Sequence, residues 1–291
     1  MKGLITTIRN IFRIEELRSR ILYTLGLILV YRLGAHIVLP GVDPDQLGGL
    51  KAQSESGILG LIDMFAGGAF SQASIFALGI MPYISASIVV QLLTIAVPYF
   101  QKMQKEGESG RKKMNQITRW LTVLVVLGQA PGYIVNLKAQ APGAIVMDGT
   151  GFWITSILIL LAGTMFVMWI GERITENGIG NGISIIIMIG IIAGLPLSFR
   201  DEFLSRLNEG GGMVVFLVEL ILLYIVIALV ILLVQGTRRI PVQFAKKIVG
   251  NKQYGGQRQY IPLKVNAAGV MPIIFAQAIM FIPATIAQFF P

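Results

Sequence analysis

The side chains that most often perform chemistry are scarce in this sequence. It holds no cysteine and a single histidine, His36. Disulfides, thiolate metal sites, multi-histidine metal sites and the HExxH arrangement are therefore all excluded. Ser-His-Asp catalysis would need His36, and no suggestive partner surrounds it. The stretch TENGIGNG (175–182) has the glycines of a phosphate cradle, but no lysine followed by Ser or Thr closes it, so it reads as a tight turn. No catalytic residue, metal ligand or cofactor site is assigned. The informative residues are polar and conformationally special ones set inside an apolar run. ASIFALGIMPYISASIVVQLLTIAV (73–97) carries no charge. At ~1.5 Å per residue it is long enough to cross a hydrocarbon core ~30 Å thick. Yet it contains Gly79, Pro82, Ser85, Ser87 and Gln91, which are tolerated at membrane depth where neighbouring helices or enclosed water satisfy the polar groups. Ile80 and Ile84, four apart, share one helix face. The preceding GILGLIDMFAGGAFSQ (57–72) is apolar, glycine-rich and too short to span. A short re-entrant piece feeding a broken, polar-spotted helix suggests a path through a membrane.

The elements that must position such a path follow from composition. Of 291 residues, 54% are hydrophobic and 13% charged, with a mean hydropathy of +0.72. Soluble domains carry about 25% charged residues. The class is all-α, a polytopic membrane protein; the ~10-residue alternating segments of an outer-membrane barrel are missing. The net charge of +9 is a topology signal before it is evidence for nucleic acid. Residues 1–20 place Leu4, Ile5, Ile8, Ile11, Phe12 and Leu17 at helical spacing among Lys2, Arg9, Arg13, Arg18 and Arg20, as in an interfacial amphipathic helix. No cleavable signal pattern follows.

Seven spans are expected, at 21–38, 73–97, 117–137, 152–170, 183–197, 213–234 and 267–290, the last broken by Pro272 and Pro283. The segments 1–20, 99–116 and 235–264 are basic. They alternate with the neutral or weakly acidic 41–57, 138–151 and 198–212, which puts the N-terminus in the cytoplasm. The loop 235–264 holds seven basic residues and no acid, more than orientation needs. Docking onto acidic partners, including the phosphates of ribosomal RNA, fits that excess. Arg32 and His36 lie toward the outer end of the first span, and Glu219 near the outer end of the sixth, where each is expected to snorkel to the interface. On the residues alone the rival reading is an ion-coupled secondary transporter. Such proteins place ionisable groups at the midplane of broken helices, and here the broken helices lack a midplane carboxylate pair.

Five stretches carry a resemblance: FAGGAFSQASIFALGIMPYISASIVVQLL (65–93), KEGESGRKK (105–113), GTMFVMWIGERITENGIGNGISIIIMIGIIAGLP (163–196), RRIPVQFAKK (238–247) and PLKVNAAGVMPIIFA (262–276). In these the chain closely resembles the SecY family, the central subunits of the bacterial protein-conducting channel. The resemblance implies an hourglass pore in the plasma membrane for unfolded polypeptides, with a lateral gate toward lipid between the second and seventh spans. It matches the waist isoleucines to Ile80, Ile84, Ile187 and Ile274. It matches the plug helix to 57–70, with Ile58, Leu61, Ile62, Asp63, Phe65, Gly67 and Gly68. It matches docking surfaces for ribosome and motor to Lys112, Lys113, Arg238, Arg239, Lys246, Lys247, Lys252 and Arg258. The implied partners are SecE, SecG, the SecA ATPase, the ribosome, signal sequences, unfolded preproteins and membrane lipid. Energy would come from those partners, the chain itself being no enzyme. An apolar waist dewets and so blocks ions. Gly57, Gly60, Gly67 and Gly68 each weaken a helix by up to ~1 kcal/mol, which suits a plug that must leave. The domains expected are 1–20, an amphipathic helix; 21–197, a first five-helix half holding the plug; and 198–291, the start of a second half. The resemblance implies ten spans where this sequence carries seven, so a non-conducting fragment stands beside the channel as a reading.

Overall fold

The computed structural model describes residues 13–50, 57–147, 149–208, 212–243, 247–249, 252–254, 258–266 and 276. Residues 1–12 of the helix expected over 1–20, Lys246, and the seventh span (Ile274 included, Ala276 excepted) lie outside the described residues. The structure is predominantly helical. Helix α1 is Glu15–Ala35, with Glu15 and Glu16 in its first turn and Arg32 in its last, charges that complement the helix dipole. It takes in 15–20 and the first expected span as far as Ala35 in one helix. Residues 37–39 then pair antiparallel with 73–75. Leu39 N–H donates to the Ala73 carbonyl at 2.8 Å and Ile75 N–H to the Ile37 carbonyl at 2.9 Å. A second pairing ties 41–43 to 144–146, through Asp43 N–H to the Ala144 carbonyl at 2.7 Å and Val146 N–H to the Gly41 carbonyl at 3.0 Å. These links satisfy backbone groups that a helix no longer serves.

Helix α2 is Gly57–Ala66 and helix α3 is Met81–Ala96. The second span is thus helical only from Met81, not from Ala73. Ala73 and Gly79 take φ +46° and +54°, which breaks a right-handed helix, and Pro82 sits in the first turn of α3, where its missing N–H does no harm. Val97 is extended before Pro98, as the residue preceding proline prefers to be. Helix α4 (Pro98–Lys105) leaves α3 at 99°. Helices α5 (Glu108–Gln140), α6 (Thr150–Asn177), α7 (Gly182–Asn208) and α8 (Gly212–Gln235) follow. Much of the loop expected at 99–116 is helical, and so is most of the one at 198–212, because α7 continues through Pro196 to Asn208. Among the described residues four helices, α5 to α8, are long and apolar enough to cross a membrane, or five if α3 and α4 make one bent span.

By internal packing the chain divides into two compact units, Met1–Leu197 with Gln277–Pro291, and Ser198–Ala276. In the first, α3 packs on α5, α5 on α6 and α1 on α6, around Tyr31, Leu39, Ile80, Ile134, Leu160 and Ile170. Small residues set the spacing. A Cβ on Gly163 would strike the Ile75 carbonyl oxygen, and one on Gly34 the Phe76 ring, so backbone and ring approach where any larger residue would hold them apart. In the second unit Arg206 pairs with Glu202 at 2.7 Å and Glu219 at 2.8 Å, and Phe216 packs edge-on to Phe199 and Phe203. Glu219 is therefore ion-paired rather than snorkelling.

The basic stretch expected as a loop contains strands. Strand β1 (Thr237–Gln243) pairs antiparallel with β4 (Arg258–Lys264), Ile240 opposite Ile261, and β2 (Lys247–Val249) with β3 (Lys252–Tyr254). Alternating Ile240 and Val242 on one strand and Ile261 and Leu263 on the other carry the period of two that strands need.

Candidate functional site

The special residues converge where α2 ends. Gly67 and Gly68 adopt φ +68° and +83°, the left-handed region that glycine enters without a Cβ penalty. The turn is closed by Gly68 N–H donating to the Asp63 carbonyl at 2.9 Å and Gly67 N–H to the Met64 carbonyl at 3.2 Å. The Asp63 carboxylate reaches across the glycines and accepts the Ser71 N–H at 2.9 Å. Three further carbonyls around this turn are met by side chains from other helices. The Tyr31 hydroxyl donates to the Ala66 carbonyl at 3.2 Å, Arg32 Nη1 to the Gly67 carbonyl at 3.0 Å and the Tyr133 hydroxyl to the Phe70 carbonyl at 3.0 Å. Left unmade at a buried position, each such bond would cost about 1–3 kcal/mol. Tyr31 stacks on Phe76 and Tyr133 meets Phe70 edge-on, so ring packing aims both hydroxyls. Helix α7 approaches through backbone at Gly190, where a Cβ would lie 2.8 Å from the Phe65 carbonyl oxygen. The end of α2 is seated between α1, α5 and α7.

The expected waist residues lie beside this seat. Ile80, the residue ahead of α3, is 1% exposed. Ile84, one turn on, and Ile187 on α7 are half-buried and pack against the same cluster, which also holds Ala66, Phe70 and Ile186. Of the expected plug residues, Asp63 and Phe65 are half-buried, Gly67 and Gly68 form the turn, and the side chains of Ile58, Leu61 and Ile62 lie outside the described residues. Among the expected docking residues, Lys112 pairs with Glu108 at 3.4 Å and Lys113 with Glu106 at 3.3 Å, all exposed. Arg238 and Arg239 are exposed on β1, while Lys247, Lys252 and Arg258 fall on β2, β3 and β4.

TENGIGNG is a turn that starts a helix. The Asn181 carboxamide oxygen accepts the N–H groups of Ile183 at 3.1 Å and Ser184 at 3.3 Å, an N-cap for α7. Nearby, a cleft of about 420 Å³ is lined by Tyr83, Arg111, Arg119, Glu172 and Asn181 among others. Across it Arg119 holds Glu172 bidentately, at 2.6 and 3.1 Å. Among the described residues no group of three or more His, Cys, Asp or Glu side chains is placed to hold a metal.

Sequence reasoning missed Tyr31, Tyr133 and Gly190, and misplaced Arg32. Arg32 does not snorkel; it turns inward to the Gly67 carbonyl, and His36 Nδ1 lies 3.0 Å from Gln72 Oε1. An arginine inside an apolar span was itself a signal of function. The two tyrosines and the glycine carry no comparable mark.

The family model described as SecY matches residues 74–291. The chain belongs to the SecY family. Protein translocase subunit SecY of Streptomyces scabiei is 43% identical over 98% of this chain and 68% of its own length. The subunits of Pseudomonas aeruginosa and Escherichia coli K12 are 46% and 45% identical over 95% and 94% of this chain, in each case 62% of their own length. The chain thus spans about two thirds of the length of these SecY relatives. Among solved structures, a protein-conducting channel superposes with a TM-score of 0.62 at 18% identity, over 90% of this chain and 56% of that one. A SecY protein described by its plug domain, which stabilises the closed state of the translocation channel and maintains a membrane seal, superposes at 0.58 and 17% identity over 91% and 56%. These likenesses establish a SecY-type fold and a multi-pass membrane protein, and they favour the channel over a small-solute transporter.

Proposed function

We propose that this chain is a subunit of a channel that passes unfolded polypeptides across a bacterial plasma membrane and releases apolar segments sideways into the lipid. The observation that carries the reading is the seated helix α2, held by its C-terminal turn beside Ile80, Ile84 and Ile187 in a chain of the SecY family. In this reading α2 with the residues to 70 is the plug and the isoleucines, with Ile274, are the waist. A narrow apolar waist makes water entry unfavourable, and branched side chains part around an extended chain without offering it a specific site. The alternation of basic and acidic segments supports a cytoplasmic N-terminus. The exposed arginines of β1 support docking onto acidic partners, the SecA motor and the ribosome, which supply the energy. A solved Sec61 chain in a canine ribosome-channel complex has the same fold, with a TM-score of 0.57. SecE and SecG complete the assembly in this reading.

The test is made in the full-length protein. Ile80→Ser with Ile187→Ser raises the resting ion conductance of planar bilayers, and deletion of 57–66 raises it less completely. A doubly substituted channel as silent as the unsubstituted one refutes the waist. Vesicles holding the protein import a signal-bearing preprotein when SecA and ATP are supplied; no import under those conditions refutes the channel.

A further inference from the structure

Apart from the Asp63 carboxylate, which accepts the Ser71 N–H across the glycines at 2.9 Å, the contacts that seat α2 fall into two sets, one on either side of Gly67–Gly68. Beyond the glycines the chain is built into the wall. Ala69, Phe70 and Ala73 are at most 5% exposed. Phe70 is held by the Tyr133 hydroxyl, and 73–75 are paired by backbone bonds to 37–39. Ahead of the glycines the hold is lighter among the described side chains. Asp63 and Phe65 are half-buried, and Met64 is 42% exposed. Among the described residues the side-chain donors that reach back to this part are Tyr31, on Ala66, and Arg32, on Gly67 itself. At Gly190 α2 rests on the backbone of α7, which offers no knob to interlock at that point. Two successive glycines in the left-handed region move to other backbone conformations without the Cβ penalty that would pin any other residue.

We propose that Gly67–Gly68 is the pivot about which α2 leaves its seat, and that Tyr31 and Arg32 are the latch that keeps it closed while Ala69 and the residues after it stay fixed. The proposal rests on the channel reading above, in which the plug leaves, and adds to it where α2 bends and which side chains set the balance. A latch of two hydrogen bonds has the right strength. Each net bond biases the closed state about fivefold, more where a charged donor takes part. The bias holds the resting state and still yields to an entering chain. It also gives Arg32 a reason to lie inside an apolar helix.

These 291 residues hold no cysteine, so once any cysteine elsewhere in the full-length channel is replaced by serine, a single introduced thiol is unambiguous. In the full-length channel, Ala66→Cys and Ala69→Cys are each labelled with a water-soluble maleimide, with and without Tyr31→Phe plus Arg32→Met. Both sites are buried at rest, at 1% and 0% exposure. The expected result is labelling of Ala66→Cys at least about tenfold faster once the latch is removed, with Ala69→Cys unchanged. No acceleration at Ala66→Cys overturns the latch. Equal acceleration at both positions overturns the pivot, because the whole seat has then melted. Bilayer recordings separate this proposal from the reading beneath it. If deletion of 57–66 conducts and the latch variant is as silent as the unsubstituted protein, the latch is wrong and the channel stands. If the deletion is silent as well, the channel reading fails with it.

Discussion

Helix α6 and helix α8 are both apolar enough to span a membrane, and they are built for different neighbours. The most apolar stretch of α6 has a mean hydropathy of 2.1 and is 44% buried within the chain; that of α8 reaches 3.2 with none buried. Helix α6 buries Ser156, Gly163 and Thr164, while α8 buries Gly212 alone. The difference teaches that hydropathy and packing are separate messages. Between apolar helices in lipid, leucine gains little by leaving lipid for a partner. Close approach of backbones does the work, and that requires small residues. A helix apolar on every side, such as α8, presents a surface that lipid or another apolar partner must cover.

Five substitutions would break or sharpen this contrast. Gly163→Leu drives a side chain into the Ile75 carbonyl and should lose about 4 kcal/mol or more of stability, because backbone cannot give way as a flexible side chain can. Thermal unfolding in detergent should show a much lower midpoint; an unchanged midpoint would mean that α6 and the segment at Ile75 do not pack through this contact. Leu223→Arg, near the middle of α8, should cost about 2.5–3.5 kcal/mol of membrane insertion. A glycosylation-based insertion assay reads it, and full insertion of the variant would show that this face of α8 meets protein or water rather than lipid. Arg119→Ala removes the bidentate hold on Glu172, which is 18% exposed. The half-exposed arginine keeps the loss to about 1 kcal/mol. Denaturant titration should show the loss shrinking as salt rises, and a salt-independent loss would point to packing instead. The smallest effect is a matched pair: Ile134→Val, at a position with 0% exposure, should cost about 1 kcal/mol. Ile225→Val in α8, 46% exposed, should stay within about 0.5 kcal/mol.

The parts of the site legible in the sequence were those with local causes. Gly79 and Pro82 marked a broken helix, Gly67 and Gly68 a weakened one, and the apolar 57–72 a piece too short to span. The helical ends of the loops at 99–116 and 198–212 were missed because charge masks helical spacing when loops are sought by polarity. Strands β1 and β4 were missed for a related reason: the basic residues drew attention from the alternation of Ile240, Val242, Ile261 and Leu263. Arg32 was noticed and wrongly aimed, since a long side chain near a helix end reaches either outward to water or inward to a carbonyl, and spacing does not distinguish the two.

Hydropathy and charge are sums over neighbouring residues, so the sequence by itself determined that this is a helical membrane protein and which segments alternate in charge. Its long motifs likewise determined the SecY family. Which groups meet across the chain is not such a sum. Tyr31 and Arg32 find their carbonyl partners 35 residues away, and Tyr133 finds Phe70 from 63 residues away. Gly163 and Gly190 have meaning only through the backbone that arrives opposite them. Only the tertiary structure decided these, because a hydrogen bond reaches about 3 Å and a close approach less than 4 Å. At that range the packing of whole helices selects the partner.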